Sequence, residues 1–445
     1  MHTALLPAAL LPLLLLLALA MPPEPYMDEE FHERQTMAYC RGEWHVWDSM
    51  ITTLPGLYLL ATALRMCSLS AMRCLNAVLA ALGVVLLQAM VRADADRRSR
   101  RRGLLVRLLQ IVLLPTHLFY APFYYTDTLA VVLVLLLFHL VTSPRATPSL
   151  AARLLRASVT VAAVLARQTN VVWVAFVVAI ASVRELRLDA QERRGKHWAR
   201  SLSDDAWLVV RNMPRLVALH AELVLVMLAF VVFVVVNGGL VVGAREDHSM
   251  TLHLPQLGYL ALTLLIVAWP SVLARAVDLL QSGRWRQRIS LPFLVLALAA
   301  AAAAVAQFTM VHRYLLADNR HYSFYIWSKI INVHPLARYA LVPVYVGVFA
   351  LANDGLWEQP PITRLILLLT SAVVLVPSPL LEFRYYTLPI IFYMLLRQPV
   401  EQRKRAAGTV HVGEWITVVY QALLLALLWL VFLHPLHSAG IRFMW

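Results

Sequence analysis

Apolar runs recur from one end of this chain to the other, with short polar breaks between them, and no soluble core has room for them all. The chain has 445 residues, of which 60% are hydrophobic and only 14% charged. Crossing about 30 Å of hydrocarbon takes about 20 residues of helix. Inside lipid every peptide group must bond within the protein, which favours helices over isolated strands. The pattern predicts an all-α polytopic membrane protein.

A net charge of +14 raises the question of nucleic acid, but the cations sit in short blocks between apolar runs. Orientation by the positive-inside rule explains them, and no nucleic-acid partner is expected. The run 5–20 is read as a retained anchor in preference to a signal peptide, because a basic leader is missing. An acidic stretch at 22–53 follows, carrying Asp28, Glu29, Glu30, Glu33 and Glu43 against Arg34 and Arg41, which places it outside the cytosol. Residues 51–64 contain Pro55-Gly56 and are too short to span, so they predict an interfacial or re-entrant helix.

A span over 71–91 then returns to the block Arg92, Arg97, Arg98, Arg100, Arg101 and Arg102. Spans over 104–120, 128–142, 151–165 and 171–183 lead to a cytosolic basic linker at 184–215, with Arg187, Arg193, Arg194, Lys196 and Arg200. Further spans at 216–236, 256–273 and 291–310 reach an aromatic and cationic loop at 312–338. Those at 339–352, 365–376, 386–396 and 415–433 complete roughly 13 crossings in a single integral membrane domain. The strongest basic blocks, including Arg397, Arg403, Lys404 and Arg405, fall on one side. Cys40, Cys67 and Cys74 suggest neither a metal site nor a disulfide framework, and a Cys67 to Cys74 bridge has no support.

Three polar segments on the other side carry the chemistry. In 25–58, Asp28 and Glu29 follow the anchor directly and Asp48 precedes the Pro-Gly turn. A carboxylate at the bilayer edge is partly desolvated, which raises its basicity and suits it to deprotonate a sugar hydroxyl; a merely solvated acidic loop is the plainer alternative. In 312–327, Arg313, Arg320 and His321 are cations suited to a phosphate, Tyr322 and Tyr325 are donors, Asp318 and Asn319 suit sugar hydroxyls, and Trp327 offers a stacking face. An interfacial aromatic belt explains the same composition. In 378–386, Glu382 and Arg384 lie between apolar spans, as functional groups or as an internal pair. Arg167 to Asn170 is either a helix-end hydrogen-bond knot or part of the pocket, and Asp127 either joins it or caps a helix. No phosphate loop, HExxH or GxSxG pattern occurs.

The strings PYMDE with Phe31-His32, WDSMITTLPGLYL, FYYTDT, RQTN, FVVVNGG, LHLPQLGY, YLLADNRHYSFYIW, LLEFRYY and RFMW run in one order from residue 25 to residue 445. The chain resembles the endoplasmic-reticulum dolichyl-phosphate-glucose-dependent α-1,2-glucosyltransferase family, which adds the terminal glucose to the lipid-linked N-glycan precursor. The resemblance implies the multispan GT-C class, a multi-pass location in the endoplasmic reticulum membrane, and a lumen-facing site. It also implies dolichyl phosphate glucose as donor, a diglucosylated dolichyl-diphosphate oligosaccharide as acceptor, and inversion in one displacement; no cofactor and no metal-ligating residues are expected from the sequence, which leaves the metal requirement open.

On that pattern Asp28 is the expected base, with Glu29 its close competitor and Asp48 third. Arg320, His321 and Arg384 would compensate the leaving phosphate, while Trp327, Asp318, Asn319, Tyr322 and Glu382 would bind or position donor groups. Glu30 adds a third adjacent acid to the family's Asp-Glu pair. The rival readings are another GT-C transferase of the same pathway and, from a different class, a lipid or solute transporter.

Overall fold

A computed structural model describes residues 6–97, 103–143, 148–194, 201–243, 250–400, 411–434 and 442–444. Expectations for Leu5, Arg98, Arg100, Arg101, Arg102, Lys196, Arg200, Arg403, Lys404, Arg405 and Trp445 lie outside the described residues. Among the described residues the architecture is all-helical, with one isolated parallel bridge between His321 and Met444.

Four helices among the described residues are long and apolar enough to cross a bilayer: Leu69–Asp94, Pro255–Gln281, Leu291–Phe308 and Val412–Leu433. A fifth span is made if Met213–Leu219 and Ala221–Asn237, which meet at 88°, count as one. Shorter apolar helices cover Leu6–Ala20, Thr126–Thr142, Pro361–Leu375 and Phe383–Leu396. Large apolar side chains stand open on their surfaces, with Val236 83% and Phe293 71% exposed. A water-facing surface with patches of this kind is not sustainable; lipid is their natural solvent.

Prolines account for two departures from the expected spans. The run 104–120 stops at Val112, and Pro115 opens a separate turn, Pro115–Leu118, because proline disfavours helical backbone in the residue before it. In Pro255–Gln281 the backbone leaves helical geometry at Ala268, just ahead of Pro270. Pro270 removes one N–H and crowds the carbonyl four residues back. The Tyr420 hydroxyl donates to that carbonyl, Ile266 O, at 2.8 Å, and Gln421 Nε2 donates to Val267 O at 3.1 Å. The break is thereby satisfied inside the bundle.

The chain divides into two compact units. The first comprises Met1–Met90, Tyr120–Ser249 and Pro360–Thr370; the second comprises Val91–Phe119, Met250–Gln359 and Ser371–Trp445. In the first, helices Thr126–Thr142, Leu150–Ala166, Asn170–Arg194 and Ala221–Asn237 pack on one another. The expected interfacial helix is Gly56–Ala63, and it lies against Leu150–Ala166. A Cβ on Gly56 would stand 2.6 Å from the Leu165 carbonyl carbon, so only glycine permits this approach.

In the second unit Pro255–Gln281 packs on Val342–Gly355, Val412–Leu433 and Leu291–Phe308. A buried polar knot ties its helices. Arg397 Nη2 meets Glu414 Oε2 at 2.8 Å, and Glu414 also accepts from Gln110 Nε2 at 2.9 Å and Ser271 Oγ at 2.8 Å. Each ionised group has several partners, the condition under which burying a charge pair is tolerated.

The cysteine reading needs correction. Cys40 and Cys67 form a disulfide, and Cys74 is the free thiol. Their 27-residue separation gave no sequence signal, because a helix end and a turn are brought together only by the fold.

Candidate active site

The acidic stretch of the first unit is a folded substructure built on the helix Glu29–Cys40. Asp28 is its N-terminal flanking residue, half-buried, and its side chain makes no capping bond. Directly before it, Met27 takes φ 55°, a left-handed conformation that costs a β-carbon-bearing residue about 1–2 kcal/mol.

Glu29 is fully buried. Its Oε1 accepts from Arg73 Nε at 2.9 Å and from the Tyr124 N–H at 2.8 Å. Its Oε2 accepts from Arg73 Nη2 at 2.6 Å and from the Tyr26 N–H at 3.0 Å. A carboxylate offers about four lone-pair positions, so no acceptor site is left over for a sugar hydroxyl. Glu29 is the anchor of the acidic segment in this structure. Arg73, absent from the sequence-derived set, also donates to Glu24 O at 3.0 Å and to Pro22 O, which folds the lead-in to Asp28 against the Leu69–Arg97 helix. Three residues on, Asn76 Nδ2 donates to Phe123 O at 2.6 Å and Tyr125 O at 2.8 Å, fixing the FYYT string.

Behind Asp28 lies a layer of buried hydroxyls. His32 Nδ1 and Tyr58 Oη are 2.7 Å apart, and Thr36 Oγ1 and Tyr124 Oη 2.8 Å. Burial pushes the Tyr58 hydroxyl well above its ordinary range, and the charge of Asp28 is among the lesser contributors, so Asp28 is within electrostatic reach of it. Glu33, one turn beyond Glu29, is also raised, first by burial and then by the charge of Glu29, against a lowering by Arg73.

Asp48 sits on the loop after the helix. Gln35, buried, donates from Nε2 to Val46 O and accepts the Asp48 N–H at Oε1, both at 2.8 Å. The Asp48 carboxylate is half-buried and takes the Met50 N–H at 2.9 Å. Glu30 is exposed and paired with Arg34 at 2.6 Å. The RQTN string is a helix-end knot: Arg167 pairs with Asp127, Gln168 Nε2 donates to Thr52 O at 2.8 Å, and Asn170 Nδ2 to Ala163 O at 2.8 Å. Asp28, Glu29 and Asp48 are thus held by one helix and its loop.

In the second unit two of the cations expected on 312–338 and 378–386, Arg320 and Arg384, have acids beside them, while Arg313 lies over its neighbour's ring, Tyr314. Arg320 makes a two-point bond with Asp318, at 2.8 and 2.7 Å. Burial would raise the Asp318 carboxyl, but the hydrogen bonds and charge of Arg320, with His321 adding, bring it below its ordinary value. Arg384 pairs with Glu382, as in the internal-pair alternative. Asn319 is exposed, and His321 and Tyr322 are half-buried. Trp327 is only 5% exposed, at the start of a single π-turn, Trp327–Ile331, so its ring presents no open face for stacking in this conformation. Among the described residues no group of three or more His, Cys, Asp or Glu is placed to hold a metal ion.

Residues 22–395 match the DIE2/ALG10 family. An Arabidopsis thaliana protein named Dol-P-Glc:Glc(2)Man(9)GlcNAc(2)-PP-Dol alpha-1,2-glucosyltransferase is 33% identical over 447 residues, covering 84% of this chain and 86% of its own length. Proteins of the same name from Mus musculus and Drosophila melanogaster are 31% and 33% identical, with 84% and 83% of each chain covered. No solved structure matches the chain.

Proposed function

The chain belongs to the DIE2/ALG10 family, and from that premise we propose that it moves glucose from dolichyl phosphate glucose to a diglucosylated dolichyl-diphosphate oligosaccharide. The product carries a terminal α-1,2-linked glucose. The observation that carries this reading is the family match across 22–395, within which lie both the Asp28 segment and the Arg320 loop.

The reaction is one displacement. The acceptor 2-hydroxyl oxygen bonds to the anomeric carbon while the bond from that carbon to the phosphate oxygen breaks, and dolichyl phosphate leaves with the electron pair. A β-linked donor therefore gives an α-linked product. Asp28 takes the hydroxyl proton, and Asp48 is the second choice. Glu29 serves by fixing Asp28, since its own acceptor positions are filled. General-base assistance contributes typically 10²–10⁴-fold.

Arg320, His321 and Arg384 steady the phosphate as it gains charge, with Asn319 and Tyr322 directed to sugar hydroxyls. Arg320 can exchange Asp318 for the phosphate, and Arg384 can exchange Glu382, so each cation is kept neutralised until the donor arrives. Trp327 joins the donor site only if the π-turn opens. The chain crosses the endoplasmic reticulum membrane about 13 times as a GT-C-type bundle, with the acidic segment in the lumen. The Cys40–Cys67 disulfide supports that orientation, because such bonds persist in the lumen and not in the cytosol.

Analysis of lipid-linked oligosaccharides in cells lacking this protein tests the reading. The diglucosylated precursor accumulates, and wild type restores the finished precursor while Asp28→Asn does not. A complete precursor in null cells that hold no paralogue overturns it.

A further inference from the structure

We infer that the segment Arg442–Met444 is a positioning element for the donor-binding loop, acting on His321 from both sides through the backbone. The inference rests on the reading of 312–338 as the loop that binds dolichyl phosphate glucose.

The Met444 N–H donates to Arg320 O at 2.8 Å, and Met444 O accepts the Tyr322 N–H at 2.9 Å. His321 is therefore clamped at the peptide before it and the peptide after it, in a single parallel bridge. The helix Tyr322–Ile326 starts here, with Met444 O filling one of its opening N–H groups, which would otherwise be orphaned. The Met444 side chain is fully buried. Phe443 lays its ring 6.2 Å from Tyr322 and 6.0 Å from Tyr325, centroid to centroid.

At the other end Arg442 Nη1 donates to Phe432 O at 2.6 Å and Leu433 O at 3.0 Å, the open carbonyls that close the helix Val412–Leu433. The segment therefore transmits the position of a membrane-length helix to the loop that carries Arg320, His321 and Tyr322. A loop without this restraint has to be ordered by the donor itself, at the expense of donor affinity. Acceptor binding and the bond-making step are not coupled to that cost.

The test uses the full chain in microsomal membranes, with dolichyl phosphate glucose and the diglucosylated acceptor varied in turn. Met444→Pro removes the N–H bonded to Arg320 O, and Phe443→Ala removes the ring contacts while leaving both backbone bonds. Each is expected to raise donor KM about tenfold, the scale of one or two lost buried contacts. Acceptor KM and kcat at saturating donor stay within about twofold, and Met444→Leu and Phe443→Tyr behave as wild type. If Met444→Pro fails to accumulate, Phe443→Ala decides. Loss of kcat alone, or equal shifts for both substrates, overturns the inference. Unchanged donor KM in the segment variants, with Asn319→Ala raising it, overturns the positioning role and leaves the loop reading standing. Unchanged donor KM in Asn319→Ala as well removes the loop reading and this inference together.

Discussion

Arg73 Nη2 stands 2.6 Å from Glu29 Oε2, with 2% and 0% of the two side chains exposed. Taking both charges out of water is costly, and the cost is offset only when the remaining hydrogen-bonding positions are also filled. Here the carboxylate's are, by Tyr26 and Tyr124, and two carbonyls bring the bonded N–H groups of the guanidinium to four of its five. The pair therefore does more than neutralise itself. It draws residues 22–29 into one conformation, holds Met27 in its strained left-handed state, and fixes the backbone from which Asp28 projects.

From this arrangement follows a split between neighbouring acids. Asp28→Asn is expected to leave abundance and melting temperature near wild type while transfer falls by about 10² or more. Glu29→Gln and Arg73→Met each strand a buried charge, at about 3–5 kcal/mol, so both lower the melting temperature and the amount of folded protein. Joint replacement by Leu and Met does not restore stability, because the Tyr26 and Tyr124 N–H groups lose their acceptor. Transfer rate per folded molecule, measured beside thermal melting in detergent, separates the two behaviours; equal stability of Asp28→Asn and Glu29→Gln would contradict the assignment.

Spans were legible where one rule decided them. Lipid demands about 20 residues of apolar helix, so the four helices of that length, Leu69–Asp94, Pro255–Gln281, Leu291–Phe308 and Val412–Leu433, overlap spans expected there, while 126–142 and 150–166 are helices near their expected places but shorter. The acids, the cations and the RQTN knot were also visible as polar residues at the ends of apolar runs. Their partners were not, because Glu29 and Arg73 lie 44 residues apart and Cys40 and Cys67 lie 27 apart, and pairing at that range depends on packing. Arg73 did leave a signal: it opens an apolar stretch that carries no further charge before Arg92, with Asn76 three residues on, and a charge so placed is costly unless paired. Trp327 misled because aromatic composition cannot tell a buried ring from an open one.

Gln35 does for Asp48 what Arg73 does for Asp28, with neutral groups. Gln35→Leu removes the partners of the Val46 carbonyl and the Asp48 N–H, a loss of about 0.5–1.5 kcal/mol for each part-buried bond. Expected outcomes are faster protease cleavage in 43–50 and a lower transfer rate. Asp48→Asn keeps an acceptor for the Met50 N–H and so tests the charge alone. If Asp48→Asn retains full activity while Gln35→Leu loses it, the loop matters for its shape and Asp48 is not a base.

Glu33 gives a pH signature with a definite sign. Its carboxyl is raised above the ordinary 4.5, first by burial and then by Glu29, so the folded state prefers the protonated form. That contribution is fully present below about 4.5, the unfolded value, and is lost as pH rises through the folded one. Melting temperatures of wild type and Glu33→Gln, measured across that range, should diverge in favour of the variant as pH rises. Asp318 runs the other way: its carboxyl is lowered, so its contribution is present above the unfolded value and fades as acid protonates the Arg320 partner. A flat difference between wild type and Glu33→Gln would mean that Glu33 is as solvated as in the unfolded chain.

The Cys40–Cys67 bridge joins the end of the Glu29–Cys40 helix to the turn before the Leu69–Arg97 helix, so it closes the base of the substructure that carries Asp28 and Asp48. Closing a loop of this length is worth about 2–4 kcal/mol. Cys40→Ser with Cys67→Ser should lower the melting temperature by that scale, and wild type in reductant should match it. In sealed microsomes without reductant, a permeant thiol reagent should add one label per chain, at Cys74. After reduction, Cys40 and Cys67 should take an impermeant reagent only once the membrane is opened, because the proposed topology puts the helix they tie down in the lumen. Labelling of both in intact vesicles would put the acidic segment in the cytosol, on the side where a lumenal donor is out of reach, and the proposed reaction would lose its base.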